Sequence, residues 1–187
     1  MFEYAPRLQK TYTRLFESPA RFFHDTLHAT PNQVSIAGFI FVVVGTGFIF
    51  FRQLEAGLII TLVGILLDAV DGTMARLYNQ HTKLGTIFET VFDGIHEIIA
   101  YPALAAAGYM SWYIVVLAVP AFVILRIWKW RNPKIFDPGF KRVSIFFGYF
   151  MGFDFVGAIT LTWAYFGIIV GIFRRLDQTM HKTREAV

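Results

Sequence analysis

Four carboxylates, Asp68, Asp71, Glu89 and Asp93, stand in an otherwise apolar stretch, LLDAVDGTMARLYNQHTKLGTIFETVFDG, with Arg76 among them. Asp68, Asp71 and Ala75 are spaced i, i+3, i+7, which is one face of a helix, and Gly85, Glu89 and Asp93 recur every four residues along another. The two helices are expected to turn between Tyr78 and Lys83. At ~1.5 Å per residue, Asp68 lies roughly 18 Å before that turn, and Glu89 and Asp93 roughly 13–20 Å after it. The acids therefore share a depth and point to one pocket. Gly72, Ala75 and Gly85 are small, so a backbone or a ligand can come close to it.

Such a pocket is costly in an apolar setting. A carboxylate at bilayer depth costs several kcal/mol unless it faces a polar cavity, a partner or a metal. One arginine does not balance four acids, whereas divalent cations would. The donors are all oxygen, which suits a hard ion such as Mg²⁺ or Mn²⁺ and gives no case for zinc. Two such ions about 3.5–4 Å apart clamp a diphosphate for in-line displacement.

The elements that must hold these acids are membrane helices. The chain has 187 residues, of which 56% are hydrophobic and only 16% charged, too apolar a composition for a soluble domain of this size. A span needs about 20 apolar residues. Runs of that kind are expected from Pro31 to Phe51, Leu58 to Leu77, Lys83 to Met110 and Trp112 to Ile127. Lys141–Leu176 is read as two shorter helices turning near Asp154 and Gly157, with Asp154 itself in the loop. Thr30, Pro31 and Gln33 form a capping-box start for the first span. The fold class is thus an all-α integral membrane protein with six transmembrane helices and an N-terminal amphipathic helix lying at the interface. Residues 1–29 form that interfacial segment, and 30–187 the transmembrane catalytic domain. Ser18-Pro19 reads as a helix start inside the first segment, whose basic residues Arg7, Lys10, Arg14 and Arg21 argue against a cleavable signal.

The net charge of +4 is a matter of topology. Arg76, Lys83, Arg126, Lys129, Arg131, Lys134, Lys141, Arg142, Arg174 and Arg175 cluster with the N-terminal basic residues at one set of links, and only Arg52 falls at the other. The positive-inside rule then places both termini and the mouth of the acidic pocket on the cytoplasmic side. Nucleic acid is not an expected partner. Absent cysteine excludes disulfides and thiolate chemistry.

The run Asp68-x2-Asp71-Gly72-x2-Ala75-Arg76-x8-Gly85-x3-Glu89-x3-Asp93 resembles the signature of the CDP-alcohol phosphotransferases, also called CDP-alcohol phosphatidyltransferases. Every spacing is kept. Position 89 is Glu where the family has Asp, and Gly94 stands where many members carry a basic residue. The resemblance implies a transferase of substituted phosphate groups that takes a CDP-alcohol donor and an alcohol acceptor and releases CMP, within phospholipid biosynthesis. By that resemblance Asp68, Asp71 and Glu89 are metal ligands. Asp93 is the base for the acceptor hydroxyl and also touches a metal. Gly72, Ala75, Arg76 and Gly85 receive the cytidine diphosphate. It implies Mg²⁺ or Mn²⁺, in two ions, membrane lipids as surroundings, and a homodimer.

Lesser signals have two readings each. Arg126, Lys129, Lys141 and Arg142 suit an anionic acceptor such as inositol phosphate or glycerol phosphate, or serve topology and headgroup contact. His96 and Glu97 line the pocket or pack behind it. Asn32 reaches a nucleotide or caps its helix. Two rival functions stand beside the transferase: an intramembrane prenyltransferase, which would need a second Asp motif, and a cation transporter, which would spread its acids over repeated halves.

Overall fold

The computed structural model describes the backbone of residues 6–131 and 141–185, and the side chains of 13–82, 85, 87–88, 90–92, 94–128 and 143–173. All regular structure among the described residues is helical. The chain divides into two compact units, Met1–His96 and Glu97–Val187.

The first unit opens with α1, Pro6–Arg21, followed by a π-helical turn at Phe22–Thr26. The helix start expected at Ser18-Pro19 is absent, because α1 runs through Pro19. Proline removes one hydrogen bond and crowds the carbonyl four residues back. Against that cost stands burial: Ala20 is fully enclosed with Val34, Val70 and Met74, and Phe16 and Phe23 pack on the same cluster. The widened turn follows directly after.

The next helix, α2, covers Pro31–Phe50 and starts with the expected capping box. Thr30 Oγ1 accepts from the Gln33 amide at 3.4 Å, and Gln33 Oε1 accepts from the Thr30 amide at 2.8 Å. Arg52, in the left-handed region at φ 65°, turns the chain into α3, Leu54–Leu77. Helices α2 and α3 pack antiparallel along a seam of glycines. A Cβ on Gly45 would lie 2.7 Å from the Gly57 carbonyl oxygen, and one on Gly64 2.6 Å from that of Gly38. Small residues at seven-residue spacing let the two backbones touch, the closest packing available between membrane helices.

Asn79, at φ 52°, makes the expected turn after α3, where the Gln80 amide donates to the Ala75 carbonyl at 3.0 Å. Thr82 then caps α4, Lys83–Ala106, by accepting from the Gly85 amide at 2.9 Å.

Beyond residue 96, α4 ends before Gly108, whose φ of 85° is left-handed. Helices α5, Trp112–Arg131, and α6, Lys141–Met151, both pack on α7, Phe153–Glu185. The break expected near Asp154 and Gly157 lies instead at Gly152, at φ 92°. Only a residue without Cβ enters that region readily. Gly157 stays helical because it serves packing: a Cβ there would meet Ile114 at 3.0 Å and Met110 at 3.1 Å. Asp154 is correspondingly no loop residue. It sits in the first turn of α7 and accepts from the Ser111 amide at 2.6 Å and hydroxyl at 2.5 Å, tying down the start of α5.

Three helical stretches among the described residues are long and apolar enough to cross a membrane: Pro31–Phe50, Leu54–Leu77 and Phe153–Phe173. Trp112–Trp128 is a shorter apolar helix. Ile40, Phe41, Val44, Ile59, Leu62, Phe166 and Phe173 are exposed along them, the surface expected of helices in contact with lipid.

Candidate active site

Three helices of the first unit frame the acidic motif, and their register can be read residue by residue. The position a Cβ would take on Gly85 is 3.1 Å from Asn32 Oδ1, and the rings of Phe39 and Phe92 stack at 4.2 Å between centroids. Seven residues separate these contacts on both helices, so α2 and α4 run parallel there. Antiparallel to them, α3 places Asp71 against Ser35 and the Asp68 amide 3.5 Å from the Cβ position of Gly38.

This register sets the depth of the acids. Asp71 is level with Ser35 and Asp68 with Gly38, while the backbones of Glu89 and Asp93 are level with Ile36 and Ile40. All four therefore fall within five residues of helix rise, about 8 Å. The side chains of Glu89 and Asp93 lie outside the described residues, as do those of Lys129, Lys141 and Arg142.

Asp71 is buried, at 9% exposure, and its Oδ2 accepts a short hydrogen bond from the Ser35 hydroxyl, which also lies 3.1 Å from the Pro31 carbonyl. Asp68, Gly72, Ala75 and Arg76 are half-buried on the same helix. Arg76 is fixed by two hydroxyls: Nε donates to Thr13 Oγ1 at 3.2 Å, and one terminal nitrogen donates to Thr73 Oγ1 at 3.0 Å.

Asn32, a nucleotide or capping candidate in the sequence, stands beside Gly85, and Ser35 is the residue that the carboxylate pattern does not single out. Its signal is modest but present: a serine one turn into a helix that is mostly apolar beyond it.

Farther out, the Tyr78 hydroxyl donates to Asp25 at 2.8 Å, and the Tyr78 ring stacks on His24 at 3.5 Å. The His24 hydrogen bond, then that of Tyr78, hold the Asp25 carboxyl below its usual range. Partial burial, then the bond to Asp25, raise the Tyr78 hydroxyl above its own.

In the second unit Arg126 pairs with buried Glu97 at 3.0 Å. Glu97 thus holds an arginine of α5, and His96 is buried at the end of the first unit.

The donor set suits a hard divalent ion. Asp68 and Asp71 lie one turn apart, Asp71 is buried with a hydroxyl donor holding it, and the backbones of Glu89 and Asp93 lie at that depth. Among the described residues alone, no group of three or more such side chains assembles.

The family model for CDP-alcohol phosphatidyltransferases matches residues 28–174. An uncharacterized protein of Aquifex aeolicus is 29% identical over 98 residues, covering 52% of this chain and 50% of its own. An archaetidylinositol phosphate synthase of Pyrococcus horikoshii is 30% identical over 95 residues, covering 50% of each chain. Choline/ethanolaminephosphotransferase 1 of Arabidopsis thaliana is 31% identical over 108 residues, covering 49% of this chain and 28% of its own. The chain thus spans about half the length of the first two relatives in these matches.

Proposed function

The chain belongs to the CDP-alcohol phosphatidyltransferase family, and from that premise we propose that it transfers a phosphatidyl-type group from a CDP-alcohol to a polar acceptor hydroxyl, releasing CMP. The observation that carries the reading is the shared depth of four acidic residues on α3 and α4, closed on the third side by Asn32 and Ser35 of α2.

In this mechanism the acceptor oxygen attacks the β-phosphorus of the donor, and the bond from that phosphorus to the CMP oxygen breaks. Asp93 takes the proton from the attacking hydroxyl, as a general base. Asp68, Asp71 and Glu89 would hold Mg²⁺ or Mn²⁺, in two ions with Asp93 touching one, which would neutralise the diphosphate and stabilise the leaving CMP. Ser35 orients the Asp71 carboxylate by donating to it. Gly72, Ala75 and Gly85 leave space for the cytidine diphosphate, and Arg76 contacts it. Glu89 differs from aspartate by one methylene and keeps the carboxylate.

CDP-diacylglycerol or a diether counterpart is the favoured donor, since apolar tails suit a pocket beside lipid. For the acceptor we favour inositol phosphate or glycerol phosphate. The relative named archaetidylinositol phosphate synthase supports this choice, as does the charge of Lys129, Lys141 and Arg142. Of the basic candidates, Arg126 is engaged with Glu97. The reading includes six spans, cytoplasmic termini, an interfacial N-terminal segment and a homodimer. Its topology is supported by the Ser111–Asp154 contact, which joins two links expected on the same side.

A panel assay decides it. Purified protein with Mg²⁺ and CDP-diacylglycerol should release CMP when inositol phosphate or glycerol phosphate is supplied, and choline or serine should serve poorly. Absence of metal-dependent CMP release across the panel sinks the reaction, and better turnover with choline or serine sinks the acceptor preference.

A further inference from the structure

We propose that Thr13 is a positioning residue for Arg76, fixing its guanidinium plane for the donor diphosphate, so that α1 completes the donor site. The inference rests on the transferase reading above. Arginine binds phosphate well when its planar fork is held ready, and its long side chain otherwise samples many rotamers.

Here the fork is held from two helices. Thr73 Oγ1 accepts from one terminal nitrogen at 3.0 Å and is itself anchored on the Ala69 carbonyl at 2.9 Å. Thr13 Oγ1 accepts from Nε at 3.2 Å, across 63 residues of sequence. Two acceptors on one rigid plane, reached from two helices, constrain its orientation more than either does alone. The other edge of the plane lies over Gly72: a Cβ there would sit 3.5 Å from Nη1. The cation is therefore set directly beside the backbone that follows Asp71, where the signature glycine removes the side chain that would cover it.

Thr13 stays in register because α1 is fastened to α3 elsewhere. Phe16 and Ala20 pack on Val70 and Met74, and Asp25 and His24 hold Tyr78 at the end of α3. These contacts make α1 a support and Thr13 the point where the support meets the signature.

The test is a cycle of variants assayed with CDP-diacylglycerol, alongside binding of CDP in Mg²⁺. Thr13→Val keeps the shape and removes the acceptor. It should raise KM for the donor and Kd for CDP by about tenfold, equivalent to about 1.4 kcal/mol, with kcat within about twofold. Thr13→Ser restores the hydroxyl and should restore both constants. In an Arg76→Ala background, Thr13→Val should add nothing, since the group it positions is gone. Unchanged constants in Thr13→Val overturn the inference. So does an additive effect in the Arg76→Ala background, which would assign Thr13 to folding alone. A wild-type protein that neither binds CDP nor releases CMP overturns the transferase reading, and this inference with it. Wild-type turnover with an indifferent Thr13→Val overturns the inference alone.

Discussion

At the scale of single residues, the proposed chemistry separates into roles that substitutions can divide. Asp93→Asn keeps size and polarity but takes no proton. Turnover should fall by about 10²–10⁴-fold while CDP-donor affinity survives, read by single-turnover CMP release beside a binding titration. Joint loss of both would make Asp93 chiefly a ligand. Glu89→Asp should retain measurable activity, whereas Glu89→Gln should lose it; full activity in the amide would remove position 89 from the metal set. Away from the pocket, Asp25 offers a pH test. Its carboxyl titrates below the unfolded value of about 3.9. Its contribution to stability is therefore complete above that value and lost as pH falls through the lower, folded one. Thermal unfolding of Asp25→Asn should occur at lower temperature than wild type at neutral pH, and the difference should begin to shrink only as pH falls below about 4. A difference that persisted in acid would mean the ionised carboxylate does not do this work.

Among the elements, the α2–α3 pair depends on backbone contact. Gly45→Ala or Gly64→Ala forces a methyl against a carbonyl oxygen and should destabilise by about 1–3 kcal/mol in reversible unfolding. Gly47 has nothing within 4 Å of its Cβ position, so Gly47→Ala should be neutral or stabilise by about 0.5–1 kcal/mol. Equal effects at the three positions would show that the seam does not set the packing. Much of this level was legible in the sequence. The acid spacing, the capping box at Thr30 and the turn near Asn79 all follow from local rules. Contacts set by tertiary partners were not. By local rules Pro19 reads as a boundary, and the burial of Ala20 outweighs it; Gly157 reads as a turn residue, and its fit against Ile114 keeps it in the helix. Ser35 stayed inconspicuous because a lone serine in an apolar helix usually bonds its own backbone, and its second partner is 36 residues away.

For the whole molecule, the proposed topology yields a clean labelling experiment, since the chain has no cysteine of its own. Gln53→Cys, in the exposed link between α2 and α3, should react with an impermeant maleimide in intact cells. His81→Cys, in the exposed turn before α4, should react only after lysis. Reversed accessibility would invert the orientation. The glycine seam carries a different consequence for anyone mapping this protein by exhaustive substitution. Gly38, Gly45, Gly57 and Gly64 touch no substrate in the proposed reaction, yet each meets main-chain atoms within 3 Å where a side chain would begin. On a map of tolerated residues these four would stand out beside Asp68 and Asp71, although they do no chemistry. Intolerance along α2 and α3 would then trace two overlapping patterns: the acids, whose loss silences a folded protein, and the glycines, whose loss removes the protein from the membrane. Abundance measured in the same cells is what tells them apart.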